Sequence, residues 1–192
     1  MPKYVDNEKR RDDIVRVATK VLAEDGYENF SLRKVGRLLG GSQSLVTHYF
    51  KNRETLFSAL GAIMAEKWES ELPLLIGNHN DSREKLRQLM LWLIPNTPEK
   101  IEGERWRMQL SAARHRDPIA AQILMDFDSY VRKQLTNIIR ELVDAKKVEH
   151  TIDMIRAVSS GVELEAHEHG WSPDRQETVV NDALDRIVPK TV

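Results

Sequence analysis

Apolar residues recur every three or four positions along nearly the whole chain, and no stretch alternates strictly or strings β-branched residues together. A chain with that rhythm buries stripes of helices, so an all-α fold of about nine helices is expected. Ile14, Val17, Ala18, Val21 and Leu22 form one such stripe, ended by Gly26, which places a first helix over about 7–25. Ser31 is a natural N-cap for a short second helix that turns Leu32, Val35 and Leu39 inward and closes at Gly40-Gly41. Ser42 then caps a third, carrying Leu45, Val46, Tyr49 and Phe50. Two short helices around a tight glycine turn, behind a longer one, are the pattern of a helix-turn-helix.

From Arg53 a longer stripe runs through Leu56, Phe57, Leu60, Ile63, Met64, Trp68 and Leu72, and Pro73 is expected to disturb it. Residues 77–82 and 96–98 read as loops around a helix near 82–94. A helix over about 99–116 follows, and Asp117-Pro118 marks a fresh start for the series Ile119 to Leu142. Helices over about 149–169 and 173–188 complete the chain. The division expected is a helix-turn-helix domain over 1–52 and a larger helical domain over 53–192.

Charge and composition narrow the function. Residues 1–60 carry 11 Lys and Arg against 8 Asp and Glu, while residues 61–192 carry 18 against 22. The surplus of positive charge thus lies at the helix-turn-helix end, where a polyanion would bind. Cysteine is absent, which excludes disulfides, thiolate catalysis and Cys-type zinc sites and suits a reducing compartment. No apolar run reaches the length of about 18 residues that a membrane span needs. A cytoplasmic protein with no membrane partner and no cofactor is expected. No nucleophile-base signature, phosphate-cradling glycine loop or HExxH motif appears, so an enzyme is not expected.

The third helix offers Gln43, Ser44, Leu45, Thr47 and His48 as candidate outward positions, a mix of donors, acceptors and apolar groups that suits major-groove base edges. Leu45 fits readout or core, because sequence does not fix the helix's rotation, whereas Val46 and Phe50 are core by preference. Ser31, Arg33, Ser42, Tyr49, Lys51 and Arg53 surround it as candidate phosphate contacts, through hydroxyls, charges and helix N-termini.

The order Ile14 to Leu22, Gly26-Tyr27, Ser31-Leu32, Val35, Gly40, Ser42, Tyr49-Phe50 and Arg53-Glu54-Thr55-Leu56 resembles the N-terminal domain of the TetR family of repressors. Thr47-His48-Tyr49-Phe50 looks most like the branch that includes the choline-responsive repressor of betaine synthesis, with Thr47 in place of the family's usual tyrosine. Gly36 stands where alanine is usual, Gly41 where valine packs the turn and Ser44 where glycine is common. Glycine inside a short helix costs about 0.5–1 kcal/mol relative to alanine, so these changes are expected to loosen the turn.

The resemblance implies a homodimer through the last two helices, about 149–188, where Ala157, Ser159, Ser160 and Gly161 are small enough for close helix approach. It also implies an effector pocket among the central helices, with Trp68, Trp92, Trp106, Met125 and Phe127 as candidate lining. Arg107 and Ser111 replace aromatics common in the choline-responsive branch, so the small-molecule effector is left unidentified. Glu163 and His167 stand at a metal-ligand spacing, but a solvated helix end with histidines near the C-terminal dipole accounts for them, and no metal is expected. The function expected is a ligand-released repressor that binds a palindromic DNA operator as a dimer. The alternative is a helical small-molecule-binding or scaffolding protein whose helix-turn-helix has degenerated, as Gly36 and Gly41 would allow.

Overall fold

The computed structural model describes residues 3–189, apart from the side chains of residues 3–6, 99, 102, 103 and 106. Among the described residues there are nine α-helices and no strand: α1 (Lys3–Asp25), α2 (Leu32–Leu38), α3 (Gln43–Tyr49), α4 (Arg53–Gly77), α5 (Ser82–Leu93), α6 (Pro98–Ala113), α7 (Pro118–Ile139), α8 (Val148–His169) and α9 (Pro173–Ile187). A single 3-10 turn, Ala145–Lys147, leads into α8. None of these helices is long and apolar enough to cross a membrane.

Local chemistry sets most of the helix starts. Asp81 accepts from the amides of Arg83 and Glu84, and Ser172 accepts from Arg175 ahead of Pro173. Asp117 receives the amides of Ile119 at 2.8 Å and Ala120 at 3.2 Å ahead of Pro118, and Thr97 receives that of Lys100 at 3.3 Å ahead of Pro98. In each of the last three cases a side-chain oxygen satisfies an orphan amide and a proline, which has none to satisfy, fills the first helical position.

Four boundaries differ from the sequence expectation, the first being the start of α1, at Lys3 and not near residue 7. The fourth helix runs through Pro73 to Gly77. The carbonyl that proline deprives of a partner belongs to Glu69, an exposed residue whose backbone can turn to water instead. The sixth helix stops at Ala113, and α7 stops at Ile139, where Leu142 and Val143 bond back to the Ile139 carbonyl in a turn.

The chain forms two compact units, Met1–Glu66 with Glu102–Asp126, and Lys67–Ile101 with Phe127–Val192. In the first, α1 gives Ile14, Ala18, Val21 and Leu22 to a core that takes Val35 from α2, Val46 from α3, and Leu56, Phe57 and Leu60 from α4. The core of the second joins Leu72, Leu86, Leu89, Met90, Leu135, Ile139, Ile152, Ile155, Val180 and Leu184. Each such side chain other than Ala18 contributes about 1.5–3 kcal/mol by leaving water, and the first core fixes how α3 is presented.

Candidate nucleic-acid interface

A short helix can probe a groove only if its neighbours hold it, because seven residues do not make a stable helix alone. Here α2 begins at Ser31, whose hydroxyl accepts from the Lys34 amide. It ends where the Gly40 backbone turns left-handed, at φ 74°, and the Gly41 amide bonds the Gly36 carbonyl at 2.9 Å. The chain re-enters so close to α2 that a methyl on Gly36 would lie 2.3 Å from the Ser42 carbonyl oxygen. Gly36 is therefore a point of close backbone approach, and the loosening expected from it is not what the structure has.

Within α3 only Val46 is buried, and Phe50, just past its end, joins the same core. Gln43, Ser44 and His48 are exposed, as are Ser42, Arg33 and Lys51 around them, whereas Leu45, Thr47 and Tyr49 are half-buried. Leu45 folds back over the turn, its Cδ2 2.8 Å from where a methyl on Gly41 would sit. The Thr47 hydroxyl donates to the backbone of its own helix, with the Gln43 carbonyl at 3.2 Å and that of Ser44 at 3.4 Å. Ser42 occupies the N-cap position of α3 without capping it; its hydroxyl hydrogen-bonds that of Ser44 at 2.6 Å.

The edges of the unit are pinned by groups that periodicity does not reveal. Arg11 of α1 donates to the Tyr49 carbonyl at 2.9 Å and lies over the Phe50 ring, 4.4 Å from its centre. The Tyr49 hydroxyl donates to Asn7 at 3.3 Å, and the His48 ring meets the Tyr49 ring edge-on with centroids 5.0 Å apart. Arg53 points inward. Its guanidinium lies 4.2 Å from the Tyr27 ring centre, 5.1 Å from that of Phe57 and 5.7 Å from that of Phe30, and donates to the Tyr27 carbonyl at 2.6 Å. Arg53, expected to face phosphate, is thus occupied within the unit's own core.

Comparison with known proteins bears on what such a unit is for. Residues 14–60 match the family model of bacterial regulatory proteins of the tetR family, and residues 82–189, more than half of the chain, match that of the C-terminal part of BetI-type transcriptional repressors. The chain belongs to the TetR family. This TetR-family chain is 31% identical over 117 residues to the HTH-type transcriptional regulator PksA of Bacillus subtilis, an alignment covering 60% of the chain and 57% of that protein. A transcriptional regulator from Rhodococcus sp. Rha1 has a similar fold, with TM-score 0.83, 18% identity, and coverage of 95% of this chain and 99% of that one. So does a protein from Saccharomonospora viridis solved in complex with choline, with TM-score 0.84, 16% identity, and coverage of 93% and 96%.

In the second unit of this TetR-family chain, three of the expected pocket residues do come together. The Trp68 and Phe127 ring centres are 4.6 Å apart and those of Trp92 and Phe127 6.2 Å, with Tyr130 donating to the Trp68 carbonyl at 2.9 Å. Met125 belongs to the other unit and is more than half exposed, and the Trp106 side chain lies outside the described residues. Tyr130 was not singled out by sequence, nor was Lys100. The Lys100 amine donates to the Leu91 carbonyl at 2.8 Å and to Asn96 at 3.0 Å. Burial pushes its pKa down to about 8, against a smaller upward pull from Glu71.

Of the small residues on α8, Ala157, Ser160 and Gly161 are exposed but Ser159 is buried, so it does not belong to an outward face. His169 pairs with Glu165 at 3.2 Å, and among the described residues no three acidic or histidine side chains are grouped to hold a metal ion.

Proposed function

We propose that this chain is a dimeric one-component transcriptional regulator of the cytoplasm, whose α3 enters the major groove of a roughly palindromic operator. The observation that carries this reading is the presentation of α3. Val46 is its one buried residue, while Gln43, Ser44 and His48 are exposed, as are the cations Arg33 and Lys51. Amide, hydroxyl and imidazole groups suit base edges, glutamine pairing best with adenine, and the flanking cations suit phosphates. Ser31, Ser42 and the ring of Tyr49 complete the proposed contact surface. Arg53 is left out of it.

Division of roles follows the chain: residues 1–52 read DNA, and residues 53–192 bind an effector and pair the subunits, even though compactness groups α6 with the head. Met154, Ala157, Gly161 and Leu164 are all exposed and recur at spacings of three and four on α8, a stripe suited to a second copy. Beside Gly161 the space where a side chain would stand is open. Two copies would place two α3 helices on successive major-groove faces, about 34–36 Å apart. For the effector we propose the aromatic cluster of Trp68, Trp92 and Phe127 as part of its site. Repression, released by that small molecule, is the mode proposed, as in the repressors the C-terminal model describes. Degeneration of the helix-turn-helix loses its motive, because Gly36 closes the turn.

Titrating salt against the protein on selected and on random duplexes tests the reading. Selected sequences are expected to bind about a thousandfold or more tighter than random ones, with affinity falling steeply as salt rises. Equal affinity for all sequences would overturn it.

A further inference from the structure

Gly36 and Gly41 lie on either side of the turn, and each holds open a space that something else fills. At Gly36 the occupant is main chain: the Ser42 carbonyl oxygen would lie 2.3 Å and its carbon 2.5 Å from an added methyl. Backbone cannot rotate aside as a side chain can, so a methyl there must move the start of α3 by about an ångström to restore ordinary contact. At Gly41 the nearest occupant is the far end of Leu45, 2.8 Å away, which can swing out and stay out, while the Leu45 Cβ at 3.3 Å has to give by only a few tenths of an ångström.

We infer that Gly36 and Gly41 are specificity-determining positions of this helix-turn-helix. They seat α3 close to α2 and keep Leu45 folded over the turn, so that Gln43, Ser44 and His48 alone face the bases. The inference rests on α3 being the reading helix and deepens that proposal. A methyl at 36 displaces the end of α3 that carries Gln43 and Ser44, and base hydrogen bonds work only over about 2.7–3.2 Å. A methyl at 41 shifts the main chain by only a few tenths of an ångström, to relieve the Leu45 Cβ at 3.3 Å, and turns an apolar side chain into the reading surface, where it meets a thymine methyl or blocks a polar contact. Neither position touches DNA in this arrangement; both act by positioning other residues.

The test is in-vitro selection from a random duplex pool with the full-length chain, its Gly36→Ala and Gly41→Ala variants, and Gly77→Ala as control. Around Gly77 nothing lies within reach of an added methyl. Circular dichroism and thermal midpoints report folding alongside. Gly36→Ala and Gly41→Ala are each expected to change the preferred base by about tenfold or more at one or two positions per half-site. The salt slope of binding to random DNA should stay that of the wild type, and Gly77→Ala should select the wild-type motif. Loss of folding in Gly36→Ala would leave the decision to Gly41→Ala, which displaces chiefly the end of a side chain. Folded variants that select the wild-type motif overturn the inference while leaving α3 as the reading helix. A wild-type chain that selects no motif overturns that reading, and the inference with it.

Discussion

The hydroxyl of Tyr27, in the turn after the first helix, donates to the carboxylate of Asp117, which at the same time caps α7. Ninety positions separate the two in sequence, and both lie in the first compact unit. Arg53 stacks on the same tyrosine ring, and Gln109 accepts from the Tyr27 amide at 3.3 Å. The loop that leads into the helix-turn-helix is therefore held by groups from α4, α6 and α7.

Tyr27→Phe should expose this bond through pH. Burial first, then the bond to Asp117, hold the Tyr27 hydroxyl well above its usual range of ionisation. A raised folded-state pKa means stability that is complete below about pH 10 and is lost as pH rises beyond it. For Asp117, burial favours the neutral acid, but the Tyr27 hydroxyl, the Ala120 and Ile119 amides and the Arg53 charge outweigh it and keep the carboxyl below its usual range. That contribution is present above about pH 4 and is lost as pH falls through the folded value. Urea unfolding should find Tyr27→Phe less stable by about 1–3 kcal/mol at neutral pH, with a shallower loss above pH 10 than the wild type. Parallel alkaline limbs would contradict this.

Arg53 and Lys51 are two residues apart and should separate cleanly. Arg53→Lys keeps the charge but loses the planar stack on Tyr27, Phe57 and Phe30, so the thermal midpoint should fall by the equivalent of about 1–3 kcal/mol. Arg53→Met, which removes the charge as well, should leave the salt slope on DNA unchanged. Lys51→Ala should leave the midpoint alone and lower the salt slope by about one for each subunit. An exchange of these two outcomes would place Arg53, not Lys51, on the phosphates.

Lys100 should make the second unit more stable in mild alkali. Its amine is held down at about 8 in the fold, against about 10.4 in an unfolded chain. Between those values the unfolded chain carries a proton that the folded one has shed, so raising pH favours folding. Unfolding midpoints of the wild type should climb between pH 8 and pH 10 relative to Lys100→Met, which lacks the titrating group. Curves that keep a constant separation would count against the buried amine.

Leu164→Glu puts a charge in the exposed stripe of α8. Analytical ultracentrifugation should find a dimer for the wild type and a folded monomer for the variant, and affinity for a palindromic site should fall by at least about a hundredfold, since one head then binds alone. A dimer unaffected by the charge would move the proposed interface elsewhere.

Much of this was legible from residue pattern, for a physical reason. Stripes of Ile, Leu and Val mark the buried faces of α1 and α4, and the sequences Asp117-Pro118 and Ser172-Pro173 combine a capping oxygen with a residue that has no amide to cap. Those are local rules. What was not legible depends on residues far apart in the chain. The direction of Arg53 is set by three rings, two of which, Tyr27 and Phe30, belong to the turn before α2, and the grip of Arg11 on Tyr49 spans 38 positions. Gly36 was misjudged by intrinsic propensity, which counts the cost of glycine within a helix but not the backbone that arrives beside it. Ser42 looked like a cap and instead bonds Ser44, because backbone position alone does not aim a hydroxyl.

The central claim is that the exposed face of α3 meets DNA, and a photoreactive residue placed at His48 tests it most directly. With the full-length chain bound to its selected duplex, crosslinks from position 48 should fall on bases within one half-site, and those from Ile63, exposed on α4 in the same unit, should be absent. Crosslinks from 63 and none from 48 would contradict the claim.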